Sequence, residues 1–254
     1  MTRRDGSVRT TGVALNQQRQ WPADSVLGLL GASTGDALLD LGTPVTYRAR
    51  QTVLRQGEPS HHVVIPLTGT LKVVVDTEFG RPVLLALRGP GDILGELSVF
   101  EDRRRSANVQ TCTPVRANLV GKAQFTEFLD RHPDLWRAVA SSLSTRLHWA
   151  NSRRAEILSC PAPMRVGRVL AEIVRRHGRP SCEGWILDLS LTQAEIASLT
   201  GVALSTFEKT TQRLHRLGVL RSEYRRIVVA DLGALLRFGK LDETDPQVLK
   251  RFRS

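Results

Sequence analysis

The chain has 254 residues, 41% hydrophobic and 24% charged, which are the proportions of a soluble globular protein with one large or two ordinary domains. Its 36 Lys/Arg exceed 25 Asp/Glu to give a net charge of +11, which points to an anionic partner, nucleic acid first. Three scattered cysteines, Cys112, Cys160 and Cys182, exclude a disulfide framework and a four-cysteine cluster, and no run approaches the roughly 18 apolar residues of a membrane span.

Residues 1–23, opening MTRRDGSVRTTGVALNQQRQ, are polar and basic and lack the apolar stretch of a signal peptide. They read as a disordered basic tail of a cytoplasmic protein. In DSVLGLLGASTGDALLDLG (Asp24 to Gly42), Ser33 and Asp36 predict an N-cap before Ala37, Leu38 and Leu39, hence a short helical lead-in. From Pro44 to about Thr113 the pattern changes to short β-rich runs: QTVL, HHVVIPL, TLKVVV, PVLLAL and ANVQT. Glycines 57, 69, 80, 89 and 91 punctuate them, and EFGRP reads as a hairpin turn. This spacing predicts an antiparallel roll or jelly-roll barrel.

Inside that region lies GELSVFEDRRRSANVQT, Gly95 to Thr111. Arg103, Arg104 and Arg105 run into two small residues, Ser106 and Ala107, and Glu96 precedes Arg105 by nine positions. A solvated loop needs no such arrangement, whereas a pocket for a phosphate on a sugar does. The plainer alternative is that all three arginines are solvated.

Next, KAQFTEFLDRHPDLWRAVASSLSTRLHWANSRRAEILS is helical. Trp136, Val139, Leu143, Leu147, Ala150 and Ile157 mark an apolar stripe. Such a stripe either packs on its own domain or forms a dimer seam, and the seam is preferred. Pro161 and Pro163 punctuate the join to a further helix, MRVGRVLAEIVRRHG. In LTQAEIASLTGVALSTFEKTTQRLHRLGVL, Thr192 and Glu195 form a capping box and Gly201 marks the turn. A second helix then runs to about Leu217 and stops at Gly218, with VLRSEYRRIVVAD as a two-strand wing. Phe207, Leu214 and Leu217 are available for the core; short polar and long basic residues on the remaining face suit base edges and phosphates.

Taken together, RQGEPSHHVVIPLTGTLKV, GPGDILGELSVFEDRRRSANVQT and the helix-turn-helix segment resemble the cyclic AMP receptor protein family of transcription regulators, over roughly Ser25 to Asp231. The resemblance implies an α+β chain in four parts: the tail (1–23), a cyclic-nucleotide-binding β-roll with flanking helices (24–131), a dimerisation helix (132–158) and a winged helix-turn-helix domain (159–254). It implies a nucleotide site of Gly95, Glu96, Leu97, Arg105, Ser106 and Ala107, with Asn151 from the dimer helix. Glu96 would accept from the ribose hydroxyl. Arg105 would pair with the cyclic phosphate, which its planar donor fork suits. Small residues let backbone approach the phosphate, and Gly95 permits the turn that presents Glu96.

The implied DNA contacts are Thr192, Ser205, Thr206, Lys209, Gln212, Arg213, Arg225 and Arg226. Ala150 and Asn151 stand where a relative of known specificity carries a threonine-serine pair, so the base is open. Leu204, Ser205 and Thr206 replace a frequent Arg-Glu-Thr run, so the usual operator is not assumed. Ser205 and Glu208 offer a second capping box that would start the helix later.

The partners expected are a double-stranded operator, a second copy of the chain and RNA polymerase, with no membrane. The expected effector is a cyclic nucleotide, cyclic AMP first. Neither metal nor haem is expected, because His61 and His62 would point to opposite faces of a strand. A same-fold regulator that needs no ligand, or senses another small molecule, is the alternative. A cyclic nucleotide effector that does not bind DNA ranks last. An enzyme is not expected, since no Walker motif, nucleophile elbow or zinc-type cluster is present and the chain ends soon after the wing.

Overall fold

A computed structural model describes residues 21–80, 82–223 and 226–241, and the side chains of 222 and 223 are not among what it describes. Most of the tail therefore lies outside the described residues.

The lead-in is two short helices, α1 (Val26–Leu29) and α2 (Ala32–Asp40). Ser25 caps α1 by accepting from the Gly28 amide. The N-cap of α2 is Gly31, without a side-chain bond, so Ser33 lies inside the helix rather than capping it. With α1 ending at Leu29, the chain re-enters helix at once and starts α2 before Ser33 is reached.

Seven strands form the roll: β1 (Thr43–Tyr47), β2 (Thr52–Leu54), β3 (His62–Pro66), β4 (Leu71–Asp76), β5 (Pro82–Arg88), β6 (Asn108–Thr111) and β7 (Val115–Gly121), with α3 (Glu96–Phe100) between β5 and β6. They make two antiparallel sheets in the orders β1-β7-β3 and β2-β6-β4-β5. The turn after Thr77 closes with the Gly80 amide on the Thr77 carbonyl at 2.9 Å, as the hairpin reading of EFGRP expects.

Strand β3 shows how period-two alternation sorts the core. Val64 points into the roll with Leu54, Leu71, Leu94, Val109 and Val115. Val63 and Ile65 point the other way, onto Leu38, Phe125, Leu129 and Leu135 of the helices. Those belong to α2, α4 (Lys122–Arg131) and α5 (Pro133–Ser159).

Helix α5 divides its apolar stripe. Leu135, Ala138 and Val139 are buried against the chain's own roll, and Trp136 stacks on Phe100 with centroids 5.0 Å apart. Further along, Leu147 is 62% exposed, Ile157 48% and Leu158 82%. The stripe is therefore core in its first half and open in its second.

The C-terminal half contains α6 (Ala162–His177), β8 (Arg179–Ser181), β9 (Gly184–Leu187), α7 (Gln193–Thr200), α8 (Leu204–Arg216), β10 (Leu220–Glu223), β11 (Arg226–Val229) and α9 (Leu232–Phe238). The expected two-strand wing is part of a four-stranded sheet, β10-β11-β9-β8, because Ile227, Val228 and Val229 pair with β9 on their other edge. Leu217 is 60% exposed. It is the C-cap of α8, turned past the face on which Phe207, Thr210 and Leu214 are buried.

The two halves share one core. Val74, Leu84, Leu87 and Cys112 of the roll cluster with Val169, Leu170, Ile173, Ile196 and Phe207 of the C-terminal half. Burial in it pushes the Cys112 thiol up to about 12. At its rim Lys72 pairs with Glu195, and the Leu84 amide donates to Ser198 Oγ at 3.0 Å.

Candidate functional site

A cavity of about 630 Å³ opens between β5, α3, the loop after it, α5 and α6. Gly95 begins its floor with φ 85°, and a Cβ there would lie 2.3 Å from Arg105 Nη1. Glycine is thus required both by the left-handed turn and by the seat of Arg105.

Arg105 is buried, 5% exposed. Its Nη1 donates to the Gly95 carbonyl at 2.8 Å and to Ser98 Oγ at 2.8 Å, and Nη2 donates to the His62 carbonyl at 2.5 Å. These bonds use three of the five N–H groups of a guanidinium and fix its plane. Burial lowers its pKa, with Glu96 and Glu58 acting in the opposite direction.

Glu96, at the first position of α3, is 4% exposed, and its Oε1 accepts from Arg146 Nη1 at 2.5 Å. Arg146 also donates to the Ile93 carbonyl at 3.1 Å and lies 3.6 Å from Asp92. An ion pair therefore ties the roll to α5 across the cavity.

Gly95, Glu96, Leu97, Arg105, Ser106 and Ala107 all line this cavity. Asn151 does not. It is exposed on α5, and the neighbouring Ala150 lines the wall instead, since each helical residue is turned about 100° from the last. Arg103 and Arg104 are exposed; Arg104 donates to the Gly57 carbonyl at 2.9 Å.

Several lining residues were not singled out from the sequence. Arg146 is one helical turn before Ala150, so helix geometry alone would have offered it. Trp149 and Arg153 of α5 both donate to Glu172 of α6, which binds α5 to the C-terminal half. Arg88, the last residue of β5, and Arg176 and His177, at the end of α6, meet there only through the tertiary fold. Burial pushes the His177 imidazole down to about 4, helped by Arg176, Arg175 and Arg88.

The helix-turn-helix forms the second candidate surface. Thr192 accepts from the Glu195 amide at 3.2 Å, and the Glu195 carboxylate accepts from the Thr192 amide at 2.8 Å, which completes the capping box. Gly201 closes α7 at φ 65°. Helix α8 starts at Leu204 with Ala203 as N-cap, so the Ser205–Glu208 box does not form. Ser205, Lys209, Gln212 and Arg213 are exposed on α8, and Thr206 is partly covered. Arg213 also lies over the Phe238 ring, 5.7 Å from its centroid. Arg226 is exposed on β11, and Arg225 lies outside the described residues.

Among the described residues no group of three His, Cys, Asp or Glu side chains is placed to hold a metal ion, and no helix is long and apolar enough to cross a membrane.

Residues 44–132 match the family model of a cyclic nucleotide-binding domain, and residues 164–238 match that of a Crp-like helix-turn-helix domain. A CRP-like cAMP-activated global transcriptional regulator of Mycobacterium tuberculosis is 29% identical over 194 residues, covering 76% of this chain and 87% of that protein. The cAMP-activated global transcriptional regulator CRP of Salmonella typhimurium is 21% identical over 184 residues, covering 72% and 87%. Among solved structures, the c-di-GMP responsive global regulator CLP of Xanthomonas campestris superposes with a TM-score of 0.69 at 20% identity, covering 79% of this chain and all of that one. FixK2 of Bradyrhizobium japonicum superposes with a TM-score of 0.66 at 22% identity, covering 78% and 96%.

Proposed function

From the chain's membership of the cyclic AMP receptor protein family of DNA-binding transcription regulators, we propose that it acts as a homodimer on a two-fold operator, and that a cyclic nucleotide in the roll, cyclic AMP first, controls its DNA affinity. One observation carries this reading. A single cavity joins the buried Arg105 and Glu96 of the roll to α5 and to α6 of the DNA-binding half.

A cyclic phosphate supplies the ion-pair partner that Arg105 does not have among the described residues. Arg105 has two N–H groups beyond its three protein bonds, the number a bidentate phosphate contact uses. Glu96 offers its second oxygen to a ribose hydroxyl while the first stays on Arg146. Arg146 then transmits the position of α3 to α5, and Glu172 transmits that of α5 to α6 through Trp149 and Arg153.

The open second half of α5 supports the dimer. Leu147 and Leu158 form the exposed apolar surface that a partner helix would cover. Asn151, exposed on the same segment, would face the partner copy rather than its own cavity. On the operator, α8 enters the major groove with Ser205, Thr206, Lys209, Gln212 and Arg213, while Thr192, Arg225 and Arg226 flank it at phosphates. An activating role adds RNA polymerase as a partner.

A second reading keeps the fold and the DNA but replaces cyclic AMP with another nucleotide. It is favoured by Ala150, which stands in place of a hydroxyl-bearing residue, lines the wall and offers a base no side-chain donor. Calorimetric titration with cyclic AMP and cyclic GMP, on wild type and Arg105→Leu, tests both. Binding that is lost in Arg105→Leu supports the pocket, and unchanged affinity in that variant removes it. Selection of bound DNA from a random pool, with and without nucleotide, then tests control.

A further inference from the structure

The cavity has more arginine than the Arg105 contact uses. Each of its carboxylates already holds a cation: Asp92 and Glu96 face Arg146, Glu172 holds Arg153, and Asp24 pairs with Arg176 at 2.9 Å. Two lining arginines have no carboxylate within ion-pair distance among the described residues, Arg105 and Arg88. Arg88 is the less satisfied. Its Nη1 donates to the Leu87 carbonyl at 2.9 Å, while its Nε is shut off from solvent without any hydrogen-bond partner. Burial pushes its pKa down to about 10, with Arg146 and Arg176 adding to the effect and Asp92 and Glu96 opposing it. Arg88 is half-buried as a residue, but a guanidinium N–H shut away without a partner is costly.

The two arginines reach one space from different elements, β5 and the loop after α3. Arg105 is seated on Gly95 and Ser98, beside the start of α3. Arg88 ends β5 beside the α6 terminus; a Cβ on its neighbour Gly89 would touch His177 Cε1 at 3.9 Å. Glu96 lies within electrostatic reach of both.

We propose that Arg88 is a second anion-binding position, so that the cavity takes two phosphate groups, one at Arg105 and one at Arg88 against the end of α6. This rests on the nucleotide pocket described above and deepens it. The second phosphate belongs either to the same molecule, as in a cyclic dinucleotide, or to a separate phosphate ion beside a cyclic mononucleotide. In both cases it bridges the roll to the C-terminal half at Arg88, Arg176 and His177.

The test is calorimetric titration of the full chain in three arms: cyclic AMP alone, cyclic AMP with inorganic phosphate, and cyclic di-GMP or cyclic di-AMP. Wild type should bind tighter by about tenfold or more in one of the latter two arms than with cyclic AMP alone, the gain of a charge-assisted contact. A gain with a dinucleotide assigns both phosphates to one molecule; a gain with phosphate assigns them to two. Arg88→Met should erase that gain while leaving cyclic AMP affinity within about twofold, and Arg88→Lys should keep part of it. Arg105→Leu should abolish binding in every arm. Thermal unfolding of Arg88→Met should occur no lower than in wild type, since the variant removes a half-buried cation whose Nε has no hydrogen-bond partner. Wild type that binds cyclic AMP with no gain in either other arm, or a gain that survives Arg88→Met, overturns the second position and leaves the pocket standing. Wild type that binds no nucleotide in any arm overturns both.

Discussion

Removing either partner of the Glu96–Arg146 pair should destabilise the chain, and the two losses should be unequal. Arg146 touches two carboxylates, Glu96 at 2.5 Å and Asp92 at 3.6 Å. Glu96 answers to three guanidiniums: Arg146 directly, and Arg88 and Arg105 through space. Arg146→Met leaves Glu96 buried but still facing two cations. Glu96→Gln removes the one carboxylate that all three arginines share, leaving Asp92 near Arg146 and Arg88 and Glu58 near Arg105. Stranding a buried charge costs about 3–5 kcal/mol. The better compensated case should fall below that range, at about 2 kcal/mol for Arg146→Met, and the less compensated one within it, at about 4 kcal/mol for Glu96→Gln. Urea unfolding followed by tryptophan fluorescence reads both, and Trp149 lies one helical turn from Arg146. The double variant should recover part of the sum, because the pair is coupled. Arg146→Met costing as much as Glu96→Gln would refute the claim that Glu96 is the common counterion.

Leu147→Asp with Leu158→Asp should give monomers by light scattering while the melting temperature of the roll holds, since both side chains are exposed; Val139→Asp should instead unfold the chain, because Val139 is 1% exposed in its own core. Lys209→Ala should weaken cognate DNA by about 1–3 kcal/mol and random DNA little, whereas Arg226→Ala should weaken both alike and reduce the salt slope by about one unit. Equal losses on both duplexes for Lys209→Ala would make it a phosphate contact. His177 has its pKa lowered to about 4 from 6.5. As pH falls through 6.5 the unfolded chain takes up a proton that the folded chain refuses until about 4, so stability should drop across that window. The loss should be about 1–3 kcal/mol, and a His177→Gln chain should show a flatter profile by thermal melts between those pH values.

Five strand runs stood out in the sequence because alternation and glycine spacing are local signals, and β2 to β6 fall on them. β1 and β7 pair with each other across some seventy positions, and nothing local in VRANLVG announces that register. The capping box of α7 was legible because its reciprocal bonds span only Thr192 to Glu195. The stripe on α5 was legible as apolar, but periodicity does not say which half meets the roll. In the cavity, Glu96 and Arg105 lie nine positions apart in one stretch and could be read together. Arg88, Arg146 and His177 come from a strand end and two different helices, so only packing brings them to one wall. Asn151 illustrates the converse, a residue adjacent in sequence to a lining position yet turned away by the helix.

The core shared between the roll and the C-terminal half also provides a clock. Cys112 is 1% exposed in that seam, and its thiol stays protonated at neutral pH, so it cannot attack an alkylating reagent while the halves are closed. Cys182 is exposed and Cys160 partly so, and both should label first. Cys112 should be labelled when the shared core opens, which would part Lys72 from Glu195 and expose Leu84 and Leu87. Its slow labelling phase therefore times the separation of the two halves, and a ligand or an operator that opens the seam should quicken that phase without touching the cysteine itself.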